Sequence, residues 1–145
     1  MKTFLTLTIG VAIGMVLTAA ATTARVTYVG HDIVASKLSK GGEIANGPGF
    51  KVSGSHRDKA GQVEVHDKET DIFYVTDGQA TFLTGGSMIG GKDTGPGQHL
   101  GTDMQGGETH QLSPGDVIVI PAGTAHWFKA VPGHISYFVV KVIQP

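Results

Sequence analysis

Cysteine is absent from the 145 residues, which excludes disulfide scaffolds, thiolate zinc sites, iron–sulfur clusters and cysteine nucleophiles. Any metal must therefore be held by His, Asp or Glu. An excess of either charge is also missing: 11 Lys and Arg face 12 Asp and Glu, for a formal net charge of −1. The electrostatic footprint of a nucleic-acid-binding chain is lacking, and nucleic acid is not an expected partner. Aromatics are sparse at 7 %, with a single Trp, and no internal repeat is present. The length suits one domain and is too short for two catalytic ones. What the chain has in quantity is glycine, 22 residues, about twice the ordinary share of roughly 7 %.

Long apolar runs are equally scarce. The one example, residues 4–17, follows Lys2 and precedes the small residues 18–24, the layout of a secretory signal. Cleavage is expected after Ala21 or Ala24, making residues 1–24 a signal peptide and the protein periplasmic or secreted. The alternative is a retained anchor. Thr6, Thr8, Gly10 and Gly14 dilute the run, which only approaches the ~17-residue minimum for a spanning helix, so no stable membrane span is expected after cleavage.

Residues 31–40 place Ile33, Val34 and Leu38 on one helical face, with Asp32 as N-cap and Gly41-Gly42 as a stop. Beyond them the apolar period changes to two. Strands are predicted over 50–55, 62–66, 71–76, 80–84, 110–112, 116–120, 125–130 and 135–142, separated by Gly- and Pro-containing turns. This pattern is that of an antiparallel sandwich or barrel. One stretch breaks the rhythm: residues 85–108 contain nine glycines, with Met88, Ile89, Leu100 and Met104 scattered among them. It reads as a surface detour in preference to a lid with His99 or Met104 reaching into the barrel, because ordering glycine is costly.

Two segments carry candidate chemistry. In Gln62-Val63-Glu64-Val65-His66, alternation puts Glu64 and His66 on one face, and Asp71 opens the next strand, within reach across a short turn. Downstream, Gly115 begins a buried strand that ends in Pro121-Ala122-Gly123, and His126 starts the strand after it. Phe73 and Val75 share a face with Asp71, and Phe128 with His126, so Phe73 and Phe128 are the expected pocket wall. Tyr74 and Trp127 would face outward, from which a homodimer is expected. Glu64 could alternatively pair with Arg57 or Lys68, and Asp71 could simply cap its turn. His31, His56, His99, His110 and His134 read as ordinary polar residues.

These segments resemble the cupin superfamily. Its second motif, Gly, five residues, Pro-x-Gly, two residues, His, is matched at every spacing by Gly115, Pro121, Gly123 and His126. The tail of its first motif is matched by Asp71, Tyr74-Val75 and Gly78. In that register Asp71 falls on the usual glutamate, His66 on the second histidine and Glu64 on the first, while Glu69 falls outside it and is expected to face solvent. Asp58 stands where a glycine usually opens the first motif, and Ala130 where an asparagine is common at the end of the second. The resemblance spans residues 50–142 and is closest to small exported single-domain cupins.

What the resemblance implies is an all-β double-stranded β-helix, the cupin jelly-roll barrel, with one short N-terminal helix. Residues 25–48 would be an arm bearing the helix, and 49–145 the barrel, with the Gly-rich insertion at 85–108. It also implies a divalent ion held by Glu64, His66, Asp71 and His126. Two His with carboxylates form a hard, oxygen-rich set suited to Mn, Fe, Ni or Zn. The expected function is a metal-dependent enzyme, an oxygenase, isomerase, decarboxylase or lyase on a small-molecule substrate, with Glu64 or Asp71 as general base. The alternatives are a non-enzymatic protein that sequesters a metal or small ligand, and a degenerate cupin without metal.

Overall fold

The computed structural model describes residues 25–145; the expected signal peptide lies outside them. No helix among the described residues is long and apolar enough to cross a membrane. One helix, α1 (His31–Lys40), precedes β1 (Gly42–Gly47), β2 (Phe50–Arg57), β3 (Val63–His66), β4 (Glu69–Gly78) and β5 (Ala80–Thr84). There follow β6 (Ser87–Ile89), β7 (Lys92–Gly95), β8 (Gln98–Gly101) and β9 (Asp103–Gln105), and then β10 (Glu108–Leu112), β11 (Val117–Ile120), β12 (His126–Ala130) and β13 (Ile135–Ile143).

The strands form two main antiparallel sheets, ordered β1-β2-β13-β4-β11 and β10-β5-β12-β3-β8-β7. This is the jelly-roll sandwich implied by the resemblance. Helix α1 stops at Gly41 as its sequence predicts, but it starts without a side-chain cap: Gly30 is the N-cap, and Asp32 sits in the first turn, where its charge complements the helix dipole. Its inward face is Val34 and Leu38 rather than Ile33, which is exposed. β1 pairs with β2, so the sheet begins at Gly42, within the expected arm.

Alternation along β4 buries Asp71, Phe73 and Val75 while leaving Tyr74 47 % exposed. Phe73, Phe82, Phe128 and Tyr137 interlock between the sheets, with ring centroids 4.6–6.0 Å apart. β13 is hydrogen-bonded to both β2 and β4. Between β13 and β4 the pairing skips Thr76, passing from Ser136↔Asp77 to Tyr137↔Val75. This bulge is fastened by the Thr76 hydroxyl, which donates to the Ser136 carbonyl at 3.0 Å. Because one surplus residue reverses strand parity beyond it, Lys141 lies opposite Asp71 and shares its inward face.

The glycine-rich stretch is not a detour. β8 pairs along the whole of β3, and β6 and β9, paired as a two-stranded sheet, bring Met88 and Met104 against Val63, Leu83, Ala125 and Trp127 as a second small core. Trp127, expected to face outward, is half-buried there and donates its indole N–H to the Gly61 carbonyl at 2.9 Å. Burial of two methionines and the β3 edge offsets the entropy of ordering so much glycine.

Candidate metal centre

Strand pairing assembles the site. His126, the first residue of β12, is the cross-strand partner of Glu64 on β3, and residues directly opposite share a face. His66 lies on that face two residues further along. The Pro-x-Gly turn docks onto the same strand: Gly123, at φ +77, donates its N–H to the His66 carbonyl at 2.7 Å. Asp71 arrives from the opposing sheet. Ligand atoms of Glu64, His66 and His126 lie within 4.8 Å of one another. Asp71 Oδ2 stands 3.6 Å from His66 Nε2 and 3.9 Å from His126 Nε2. All four residues selected from the sequence therefore meet in one place.

Each imidazole is oriented through its outer nitrogen. His126 Nδ1 lies 3.0 Å from the Thr124 carbonyl, which can only accept, so that nitrogen carries the proton and Nε2 turns its lone pair inward. His66 Nδ1 lies 2.6 Å from Gln98 Oε1, to which it donates in the same way. His66 Nε2 is then left buried without a hydrogen-bond partner; Glu64 Oε2, at 3.5 Å, is too distant to serve as one. An unpartnered buried polar atom is costly, and a cation between the two Nε2 atoms and the Glu64 carboxylate would satisfy it. The residues present fit a metal ion.

Burial opposes the charged forms of Glu64, His66 and His126. At Glu64 the proximity of His66, His126 and Arg57 overcomes it and holds the carboxyl below its ordinary range. His66 is pulled up despite burial and the repulsion of Lys141, because Glu64 and Asp71 face it. Burial dominates at His126 and pushes its imidazole down, keeping it neutral.

The sequence reading missed three functional neighbours, Gln98, Tyr137 and Lys141, and misplaced Glu69, while Arg57 does pair with Glu64 as one of its alternatives had it. Gln98, in the glycine-rich stretch, orients His66. Tyr137 accepts from Arg57 Nε at 3.0 Å, while Arg57 Nη2 meets Glu64 Oε1 at 3.2 Å and the guanidinium lies over the Phe128 ring. Lys141 Nζ donates to both Asp71 oxygens, at 2.8 and 3.0 Å, and lies 2.8 Å from Glu69 Oε2. Glu69 does not face solvent: it precedes Asp71 by two residues, so alternation turns it to the same side. The one advance signal for Lys141 was its standing as the sole charge in the apolar run 135–143. Phe73 and Phe128 do form the wall of a cavity of about 140 Å³, shared with Arg57, Glu64, Asp71 and His126. A larger surface hollow of about 390 Å³ lies beside Lys68, Pro96 and Ile143 and touches the site through Glu69 and Gln98.

Replacing Gln98 by Leu removes the acceptor that fixes His66 without touching a ligand atom. It should weaken divalent-cation binding about 10–100-fold in a chelator competition while leaving the circular dichroism spectrum unchanged.

The family model described as Cupin matches residues 58–144. The chain belongs to the cupin family. Similar solved structures include KdgF from Halomonas sp., 19 % identical, covering 72 % of this chain and 78 % of that one at a TM-score of 0.52. BH2720 from Bacillus halodurans is 14 % identical, with 79 % and 77 % coverage and a TM-score of 0.55. The cupin domain of Schizosaccharomyces pombe Cnp3 is 9 % identical, with 72 % and 60 % coverage and a TM-score of 0.52. At such identities the likeness concerns the fold alone. No curated protein matches this cupin significantly.

Proposed function

We propose that this cupin holds one divalent cation through Glu64, His66 and His126 and is a metal-dependent enzyme acting on a small organic molecule. The observation that carries the reading is the buried, unpartnered Nε2 of His66, aimed into the space between His126 and Glu64. Two imidazoles and a carboxylate on one side suit Mn, Fe, Ni or Zn and leave positions open. When bound, the ion supplies a Lewis acid at those positions. The chain's own residues do the rest. Phe73 and Phe128 exclude water from the cavity wall, Arg57 and Lys141 place positive charge at its border, and Asp71 offers a fixed carboxylate within proton-transfer reach of a bound molecule. Oxygenation, isomerisation, decarboxylation and lyase chemistry are all compatible with this set.

The test is elemental analysis of the purified protein after loading with Mn, Fe(II), Ni and Zn. About one ion per chain is expected, and sub-stoichiometric content for all four metals would end the reading. A Glu64→His variant should bind more tightly, since it supplies an imidazole at a ligand position; unchanged affinity counts against Glu64.

The reading includes export, supported by the signal-like composition of residues 1–24. It also includes a homodimer, supported by Tyr74, Val117 and Val119, which stand exposed side by side on the outer face of β4 and β11. Sedimentation equilibrium at micromolar concentration should give twice the chain mass, and a monomer would refute the dimer.

A further inference from the structure

The cation reading leaves the role of Asp71 open, and Lys141 determines it. Both Asp71 oxygens accept from Nζ, at 2.8 and 3.0 Å, and Glu69 Oε2 takes the remaining approach at 2.8 Å. Three carboxylate oxygens thus surround the ammonium, two as hydrogen-bond acceptors and one as an ion-pair partner. These are charge-assisted bonds to a carboxylate that is only 3 % exposed. The arrangement is imposed by the backbone, because Lys141 and Asp71 are cross-strand partners and the Thr76 bulge sets that register. A divalent ion bound through Asp71 would have to share an oxygen already engaged by the ammonium and sit beside a fixed positive charge. Glu64 differs: Arg57 engages Oε1 and leaves Oε2 directed at His66 Nε2, 3.5 Å away.

We propose that Lys141 is an internal counter-cation that withholds Asp71 and Glu69 from metal, so that the ion rests on the three-residue face of Glu64, His66 and His126 alone. Asp71 then stands beside the open side of that face as a carboxylate that does not coordinate. Lys141 is a positioning residue in this assignment. The neighbouring group of His66, Glu69 and Asp71, whose ligand atoms also lie within 4.8 Å of one another, is thereby closed to a second ion. The assignment rests on the cation reading, and its test separates the two.

The first arm uses metal-free protein. Lys141→Met should lower the unfolding temperature, and adding Asp71→Asn should recover part of the loss, because the second change removes the carboxylate that the first left buried and unpaired. An unchanged unfolding temperature in Lys141→Met would overturn the proposal. The second arm titrates Co²⁺ and follows its visible absorption. Asp71→Asn should bind within about threefold of the unaltered protein, whereas Glu64→Gln should bind at least about tenfold more weakly. Lys141→Met should bind about tenfold more tightly, with an altered spectrum, as the released Asp71 joins the ligand set. Equal losses in Asp71→Asn and Glu64→Gln would overturn the proposal, as would unchanged affinity and spectrum in Lys141→Met. Failure of the unaltered protein to bind Co²⁺ would defeat the cation reading, while the metal-free arm would still decide whether Lys141 holds Asp71.

Discussion

Alanine at His66 or at His126 should abolish stoichiometric cation binding, with affinity falling by more than about a hundredfold, beyond the 10–100-fold typical of an outer-sphere residue. Each substitution removes one of two imidazole nitrogens that face each other across 5.2 Å between ring centroids, and no other described histidine is placed to replace it. His99 turns away to Asp67 and Asp93, and His110 bonds Thr84. The expected pH dependence follows from His66. Burial lowers its pKa, but Glu64 and Asp71 together raise it above the ordinary 6.5. A cation must displace that proton, so binding weakens as the pH falls through the raised value, by about tenfold per pH unit for one displaced proton. The weakening should begin at a higher pH than an ordinary histidine would give. In metal-free protein the sign is opposite: the raised pKa contributes stability that is present below 6.5 and is lost as the pH rises through the folded-state value. Equilibrium dialysis of both variants and the unaltered protein across that range checks these expectations. Retention of about one ion per chain by either variant would remove its histidine from the ligand set.

Gly78→Ala should cost about 2–5 kcal/mol of folding stability, the sum of about 1–2 for a left-handed alanine and about 1–3 for forced repacking. Gly78 ends β4 at φ +75, and a Cβ there would lie 2.0 Å from the His134 carbonyl oxygen and 3.0 Å from Ile135 Cα. Both are backbone atoms, so no side-chain rotation relieves the clash. Relief requires β13 to move where Ile135, fully buried, anchors the core, and where Gln79 donates its N–H to the His134 carbonyl at 3.0 Å. Urea unfolding of the variant measures the loss. A change below about 1 kcal/mol would show that the turn tolerates a side chain, a result at odds with the overpacking range. The fraction that remains folded should keep its cation, because Glu64, His66 and His126 belong to the other sheet.

The parts of the site that were legible in the sequence are those fixed by local geometry. Pro121, Gly123 and His126 form one rigid unit, and alternation alone puts Glu64 beside His66. Phe73 and Phe128 followed from the same parity. Glu69 was misplaced because motif register was given precedence over alternation, and in a strand alternation governs. Gln98 and Trp127 had no local signal: a stretch with nine glycines has no apolar period, and β8 is specified by the unpaired edge of β3, some thirty residues earlier, as Asp67 bonding to Gly97 shows at the base of that pairing. The helix face was displaced by one residue because its partner, β2, accepts Lys37 and Leu38 close against Gly54, a contact that helix periodicity cannot foresee.

Lys141 was hidden for a different reason. In an antiparallel strand the inside and the outside of a barrel differ by a single step, and the surplus Thr76 is what puts the two ends of β4 into compatible phase with β13. One end fits the turn at Gly78, and the other sets an ammonium opposite a carboxylate. Were Thr76 paired into the ladder with the turn kept, every side chain of the site would be chemically intact and yet Val142 would stand opposite Asp71, with Lys141 turned to the other face. The charge inside this barrel is thus written in the one residue that β4 leaves out of its ladder as much as in the identity of the side chains.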